Sequence, residues 1–239
     1  MKNNTEMTFL EHILELRSKL LKIFFSIIFF SIIGYLNSNI IISFLLYPIS
    51  DPQINLQVLK ITSVFSTKLI VSIFFGLVIS FPILIYQLLS FIMPAFNNKL
   101  TVLKIIMFIC ISLILFIVGL SFGYYILIPF SVSFFKSISI PLLESISLNY
   151  TLENYLIYLI WILIISSLVY QLPILILFMV KMGIVDIKWL KSNRRYIIVI
   201  FFILSALFTP PDPLSQLMVA LPLIILYEIS IIIAKILGE

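Results

Sequence analysis

The chain has 239 residues, of which 62% are hydrophobic and 10% charged, with a formal net charge of +5. Soluble domains carry about 25% charged residues, so this balance excludes one and leaves a polytopic membrane protein with little soluble mass; several apolar runs exceed the roughly 18 residues needed to cross a hydrocarbon core of about 30 Å. The single cysteine, Cys110, and the single histidine, His12, exclude an intrachain disulfide, a cysteine metal cluster and a haem held by paired histidines, and no cofactor is implied.

The first element is the stretch from Thr8 to Lys22, the only strongly charged segment ahead of the apolar sequence. Thr8 followed three residues later by Glu11 is a capping-box pattern, so a helix starts there. Phe9, Ile13, Leu16 and Leu20 fall on one face, and Glu11, Glu15, Ser18 and Lys22 on the other. The spacing predicts an amphipathic helix over 8–22, half buried at a membrane surface as it turns into the first span. The polar, acidic N-terminus does not read as a cleavable signal.

Six apolar spans come next, over about 23–42, 69–91, 105–128, 155–180, 196–208 and 214–233, giving an all-α membrane protein in one domain. Pro48, Asp51 and Pro52 mark the first loop. Pro82 lies inside the second span, where a kink is expected. Asn97, Asn98 and Lys99 form the next turn. Pro129 closes the third span, and 130–154 reads as a long, partly amphipathic loop. Pro173 lies inside the fourth span, and 181–195 is a basic loop. The fifth span is short, and Thr209-Pro210-Pro211-Asp212-Pro213 turns the chain into the sixth. No internal repeat is visible.

The basic residues set the orientation, because Lys and Arg concentrate in loops on the cytoplasmic side. With six spans, one side carries Lys2, Arg17, Lys19, Lys22, Lys99, Lys104, Lys181, Lys188, Lys191, Arg194, Arg195 and Lys235, and the other only Lys60, Lys68 and Lys136. Both termini are therefore expected on the cis side, facing cytoplasm, matrix or stroma. This distribution fits membrane orientation better than nucleic-acid binding, and no nucleic-acid partner is expected.

Four segments carry a resemblance. The first is His12, Glu15, Leu16, Arg17 and Leu20. The second is the run Ser80-Phe81-Pro82 to Tyr86-Gln87, continuing through Phe91 to Pro94-Ala95. The third is Arg194-Arg195-Tyr196. The fourth is Leu207-Phe208-Thr209-Pro210-Pro211-Asp212-Pro213-Leu214-Ser215-Gln216, continuing through Ala220-Leu221-Pro222 to Tyr227-Glu228. Together they resemble the TatC family, the multispanning receptor of twin-arginine protein translocation, over essentially the whole chain. The resemblance implies a concave, cupped bundle of six helices without enzymatic activity. It implies a receptor that binds twin-arginine signal peptides through Glu15, Arg17, Phe91, Pro94 and the turn at Leu100. It also implies recruitment of small single-span partners of the TatA/TatB type, a homo-oligomeric receptor complex among membrane lipids, and passage of folded proteins driven by the proton-motive force. The family usually has a glutamate in the turn between the second and third spans; here Leu100 occupies that place.

Each residue also has a plainer reading. Spacing alone favours a Glu15–Lys19 helix pair, worth about 0.3 kcal/mol; the family motif favours recognition of guanidinium groups by Glu15. Glu11 is explained by the capping box and His12 as a polar surface residue. Gln171 is a polar group in the fourth span, where an unpaired amide is costly; it either faces a hydrated concavity or bonds another helix, typically for about 1 kcal/mol. Asp212 is placed to cap the sixth span. The resemblance puts partner helices near this turn and the short fifth span, with Gln216 and Glu228 as further contact positions. A respiratory-complex subunit is disfavoured by the single histidine, and a secondary transporter by the missing repeat. The heavy use of Ile, Phe, Asn, Lys and Ser suggests AT-rich coding DNA. With the 209–213 and 227–230 segments it favours a mitochondrial inner membrane over a bacterial plasma membrane or a plastid thylakoid membrane.

Overall fold

The computed structural model describes residues 9–49, 55–92, 102–139, 149–208 and 213–238. Thr8 of the capping box, Pro94, the turn at 97–100, and the Thr209-Pro210-Pro211-Asp212 turn lie outside the described residues.

Helix α1 spans Phe9–Leu36 without interruption. No proline or glycine separates the amphipathic stretch from the first apolar run, so both share one axis. Asn37 breaks it: its side-chain amide donates to the Ile33 carbonyl at 3.0 Å, the local competition with helical bonding for which asparagine is suited. The chain resumes as α2 (Ser38–Leu46) and a single 3₁₀ turn (Tyr47–Ile49). Helix α3 (Ser63–Ile92) runs the length of the bundle with Pro82 inside it, and α4 covers Val102–Phe122.

Two features depart from the sequence expectation. The third apolar run does not stop at Pro129. A π-helical turn (Gly123–Leu127) precedes α5 (Ile128–Ser139), so part of the expected loop is helical. Pro129 cannot donate to the i−4 carbonyl. The wider turn sits just before it, with the Ile128 N–H reaching back to the Gly123 carbonyl; such widenings are usually single turns. The second departure is a parallel two-stranded ladder, β1 (Asn55–Gln57) with β2 (Asn149–Thr151), in register Asn55↔Asn149, Leu56↔Tyr150 and Gln57↔Thr151. It ties two loops at the same end of the bundle.

The fourth run divides into α6 (Leu152–Val169) and α7 (Leu172–Lys181), with Tyr170 and Gln171 between them. Pro173 thus lies in the first turn of α7, where its missing N–H is not needed. Helix α8 (Ile187–Ser192), α9 (Arg194–Phe208) and α10 (Pro213–Gly238) complete the chain.

Among the described residues, five stretches are long and apolar enough to cross a membrane: His12–Leu36, Ser63–Phe91, Ile106–Phe135, Leu152–Lys181 and Gln216–Ile236. Helix α9 has 15 residues, about 22 Å at 1.5 Å per residue. Helices approach one another through small residues, as expected where lipid supplies no hydrophobic driving force. Gly76 of α3 lies against Ser31 and the Ile27 carbonyl of α1, and Gly119 of α4 against the Ser167 backbone of α6. Ser166 adds a bond across that second contact, donating to the Gly119 carbonyl at 2.7 Å.

The largest core cluster joins α2, α3, the π turn and α6 through Leu45, Val71, Phe74, Tyr124 and Leu156. At the opposite end from the ladder, Leu89, Phe108, Leu177 and Ala234 bring together the end of α3, the start of α4 and the ends of α7 and α10.

Candidate functional site

At that second end, α1 crosses the last turn of α3. His12, Glu15 and Lys19 recur at three- and four-residue intervals, so they share one face of α1, and that face meets Ser90 and Phe91. The His12 imidazole stacks on the Phe91 ring with centroids 4.3 Å apart and planes 18° apart. Lys19 Nζ lies 5.7 Å from the centre of the same ring and donates to Ser90 Oγ at 3.1 Å.

Glu15 sits between these two side chains. Its Oε1 is 2.5 Å from Lys19 Nζ, and its Oε2 is 3.8 Å from His12 Nδ1. Oε2 is shielded from solvent and has no hydrogen-bond partner among the described residues. An ionised carboxylate accepts through about four lone-pair sites. This one has an oxygen to spare beside an aromatic wall, a geometry that suits a planar cation such as guanidinium.

Of the residues singled out from sequence, Glu15 and Phe91 are thus brought together. Arg17 is exposed and, two residues from Glu15, points off the opposite side of α1. Pro94 and Leu100 lie outside the described residues. Sequence reasoning missed Ser90, and it treated Lys19 only as a helix partner. No periodic signal links Lys19 to a serine 71 residues away.

A second polar feature lies within the bundle. Ser112 Oγ donates to Gln171 Oε1 at 2.6 Å, and Gln171 Nε2 donates to the Ser112 carbonyl at 3.2 Å. This two-bond clasp ties the α6–α7 break to α4. Ser112 is fully buried; a polar residue in the middle of an apolar run was the available clue. Gln171→Glu keeps one bond but sets a second carboxylate oxygen against the Ser112 carbonyl, acceptor against acceptor. The expected result is lower abundance and a lower melting temperature in detergent. Gln171→Leu removes both bonds and costs about 1–3 kcal/mol through the unpaired Ser112 groups. Wild-type melting for Gln171→Glu would show that water, not the clasp, satisfies this position.

The third set of positions divides. Gln216 Nε2 donates to the Phe202 carbonyl at 2.9 Å, joining the start of α10 to α9. Glu228 pairs with Arg194 at 2.9 Å, joining α10 to the start of α9. Fifteen residues separate Glu228 from Pro213, about 22 Å along the helix, so Glu228 is remote from that turn. Pro210, Pro211 and Asp212 lie outside the described residues.

These features define a multi-pass integral membrane protein, with a cation-accepting carboxylate at one end of a helical bundle. The family model for the Sec-independent protein translocase protein (TatC) matches residues 11–222, and the chain belongs to the TatC family. It is 36% identical over 232 residues to the Sec-independent protein translocase protein TatCy of Bacillus subtilis (strain 168), covering 96% of this chain and 89% of that one. It is 33% identical over 234 residues to the uncharacterized tatC-like protein ymf16 of Reclinomonas americana, covering 96% and 88%. The crystal structure of the twin-arginine translocase receptor TatC in DDM superposes with a TM-score of 0.80 at 29% identity, covering 94% of this chain and 99% of that one. The protein is therefore a component of Sec-independent protein transport.

Proposed function

We propose that this chain is the receptor that reads twin-arginine signal peptides on the cis face of its membrane and hands folded cargo to small single-span partners of the TatA/TatB type. The observation that carries the reading is the Glu15 carboxylate, with one oxygen paired to Lys19 and the other 3.8 Å from His12 and without a hydrogen-bond partner among the described residues. Phe91, Pro94 and Leu100 complete the proposed recognition surface, with Arg17 on the opposite side of α1. The cupped bundle has six spans, with α9 as the short fifth. A span shorter than the hydrocarbon thickness thins the bilayer or is shielded by a neighbour, which supports partner docking along α9, the 210–212 turn and Gln216, within a homo-oligomeric receptor complex powered by the proton-motive force. The mitochondrial inner membrane is the proposed location, on the composition and the 209–213 and 227–230 segments.

The direct test is export of a folded reporter bearing a twin-arginine signal in cells lacking their own receptor. Restored export supports the reading, and a stable, membrane-inserted chain that exports nothing sinks it.

Orientation is tested separately by labelling. Arg17, Lys19, Lys22, Lys181, Lys188, Lys191, Arg194, Arg195 and Lys235 belong to segments at the Glu15 end, which supports a cis assignment for it. Cysteines introduced at Asn98 and Ser192 are expected to react with a water-soluble thiol reagent from the cis side, and one at Ser139 from the trans side. Cys110 itself is expected to stay unlabelled. Trans labelling at position 192 would remove the six-span topology.

A further inference from the structure

The link between α7 and α9 has a construction that membrane orientation alone does not require. Residues 181–195 hold five cations, Lys181, Lys188, Lys191, Arg194 and Arg195, and a single carboxylate, Asp186. Arg194 is neutralised by Glu228 at 2.9 Å. Among the described residues, no carboxylate pairs with Lys188, Lys191 or Arg195. The three lie on or just after α8 and are exposed.

Between them stands Trp189, 54% exposed. The residue after it is anchored to the bundle. Leu190 is buried at 5% exposure, and its carbonyl accepts a hydrogen bond from the buried Tyr227 hydroxyl at 2.9 Å. With Leu190 locked inward, Trp189 and its flanking lysines face outward. Gly183, at φ 71°, turns the chain after α7, and Ile184 is also exposed.

The rule that Lys and Arg collect on one side explains charge here. It does not explain an outward tryptophan, next to a residue anchored by a buried hydrogen bond, among three cations without carboxylate partners among the described residues. Tryptophan settles at the level of lipid headgroups, and cations beside it form charge-assisted bonds to phosphate oxygens. Basic surfaces on the cis side of membrane helices bind anionic headgroups in this way.

We propose that α8 and its flanks form a binding site for an anionic phospholipid, with Lys188, Lys191 and Arg195 on the phosphate and Trp189 against the glycerol and upper acyl region. The site neither touches Glu15 nor depends on signal-peptide recognition.

The chain has two tryptophans, so Trp161→Phe leaves Trp189 as the only indole. The full chain with this change is reconstituted in phosphatidylcholine vesicles containing about 30 mol% phosphatidylglycerol as the anionic lipid. Bromine is placed on the upper acyl chain of one lipid or the other. Brominated phosphatidylglycerol is expected to quench Trp189 about two-fold more than its mole fraction dictates. The excess should shrink near 1 M salt, where the screening length is about 3 Å. The triple variant Lys188→Gln, Lys191→Gln, Arg195→Gln should return quenching to the mole-fraction value with the helical circular dichroism unchanged. Mole-fraction quenching of the parent, or an excess that survives the triple variant, overturns the proposal. So does loss of the excess on adding a soluble polyglutamate peptide or glycerol phosphate, which would assign the cations to an acidic protein segment or to free phosphate.

Discussion

Gly76→Leu is expected to abolish accumulation of the folded protein, and Gly76→Ala to cost about 1–3 kcal/mol, the usual penalty for overpacking. A Cβ at position 76 would collide with Ser31 Oγ and lie 2.7 Å from the Ile27 carbonyl oxygen and 2.8 Å from the Ser31 nitrogen. The hydroxyl could rotate away, but the two backbone atoms can yield only if α1 moves as a rigid body. That movement would pull His12, Glu15 and Lys19 off Phe91. Ser31→Ala is therefore expected not to rescue Gly76→Ala, because the carbonyl contact persists. Gly183 is the contrasting case: among the described residues nothing lies within 4 Å of its would-be Cβ, but φ is +71°. Gly183→Ala should cost only the left-handed strain of about 1–2 kcal/mol and leave the α1–α3 contact intact. Abundance in membranes and melting in detergent check both. Wild-type melting for Gly76→Ala would mean that α1 and α3 are not clamped at this point.

Such contacts show where the sequence was informative. Long apolar runs and their prolines announced the helices, because hydrocarbon permits few other backbone solutions. Pairing across the chain was not announced. Strands of three residues carry too few side chains for a period-two signal, and β1 and β2 lie more than ninety residues apart. The fourth span is one membrane-length stretch, as its apolar run indicates, but the sequence does not mark where its helix is interrupted: the interruption falls at Tyr170–Gln171, leaving Pro173 in the first turn of the next helix. Pro129 behaved in a related way, with a wide turn before it in place of a helix end. In both places the proline sits at the start of a new helical segment.

The candidate site divides along the same line. Glu15 was legible because a carboxylate in a short charged motif ahead of a membrane span is conspicuous. The apposition of His12 and Phe91, and the tie from Lys19 to Ser90, exist only because α1 and α3 are antiparallel and nearly equal in length. Gln171 was visible as a polar residue in an apolar run, but one serine among many gave no reason to select Ser112. For Glu228, the resemblance implied a partner-contact position along with the 209–216 segment; the rise along α10 separates the two, and Glu228 meets Arg194.

Glu15→Gln is expected to weaken binding of an Arg-Arg signal peptide by about 10- to 100-fold, roughly 1.4–2.8 kcal/mol, without unfolding the chain. Glutamine is nearly isosteric, and Lys19 retains Ser90 Oγ and the Phe91 ring, so the α1–α3 junction keeps its remaining ties. What disappears is a charged acceptor. A hydrogen bond to a charged group contributes about 1.5–3 kcal/mol, and a fully exposed ion pair about 0–1 kcal/mol. The Glu15 side chain is 25% exposed, between those limits. Two cations arrive with a twin-arginine motif, yet Leu100 stands where the family pattern carries a second acid, and leucine accepts no hydrogen bond. One arginine of the pair is therefore expected to meet no dedicated carboxylate. The chain should discriminate weakly between Arg-Arg and Arg-Lys signals, and Leu100→Glu should tighten the Arg-Arg complex more than the Arg-Lys one, because guanidinium meets a carboxylate through two parallel bonds and ammonium does not. Affinity or crosslinking of both peptides to wild type, Glu15→Gln and Leu100→Glu reads all three effects. If Glu15→Gln binds the Arg-Arg peptide as well as wild type does, Glu15 is only the helix partner of Lys19, and recognition lies elsewhere on the cis face.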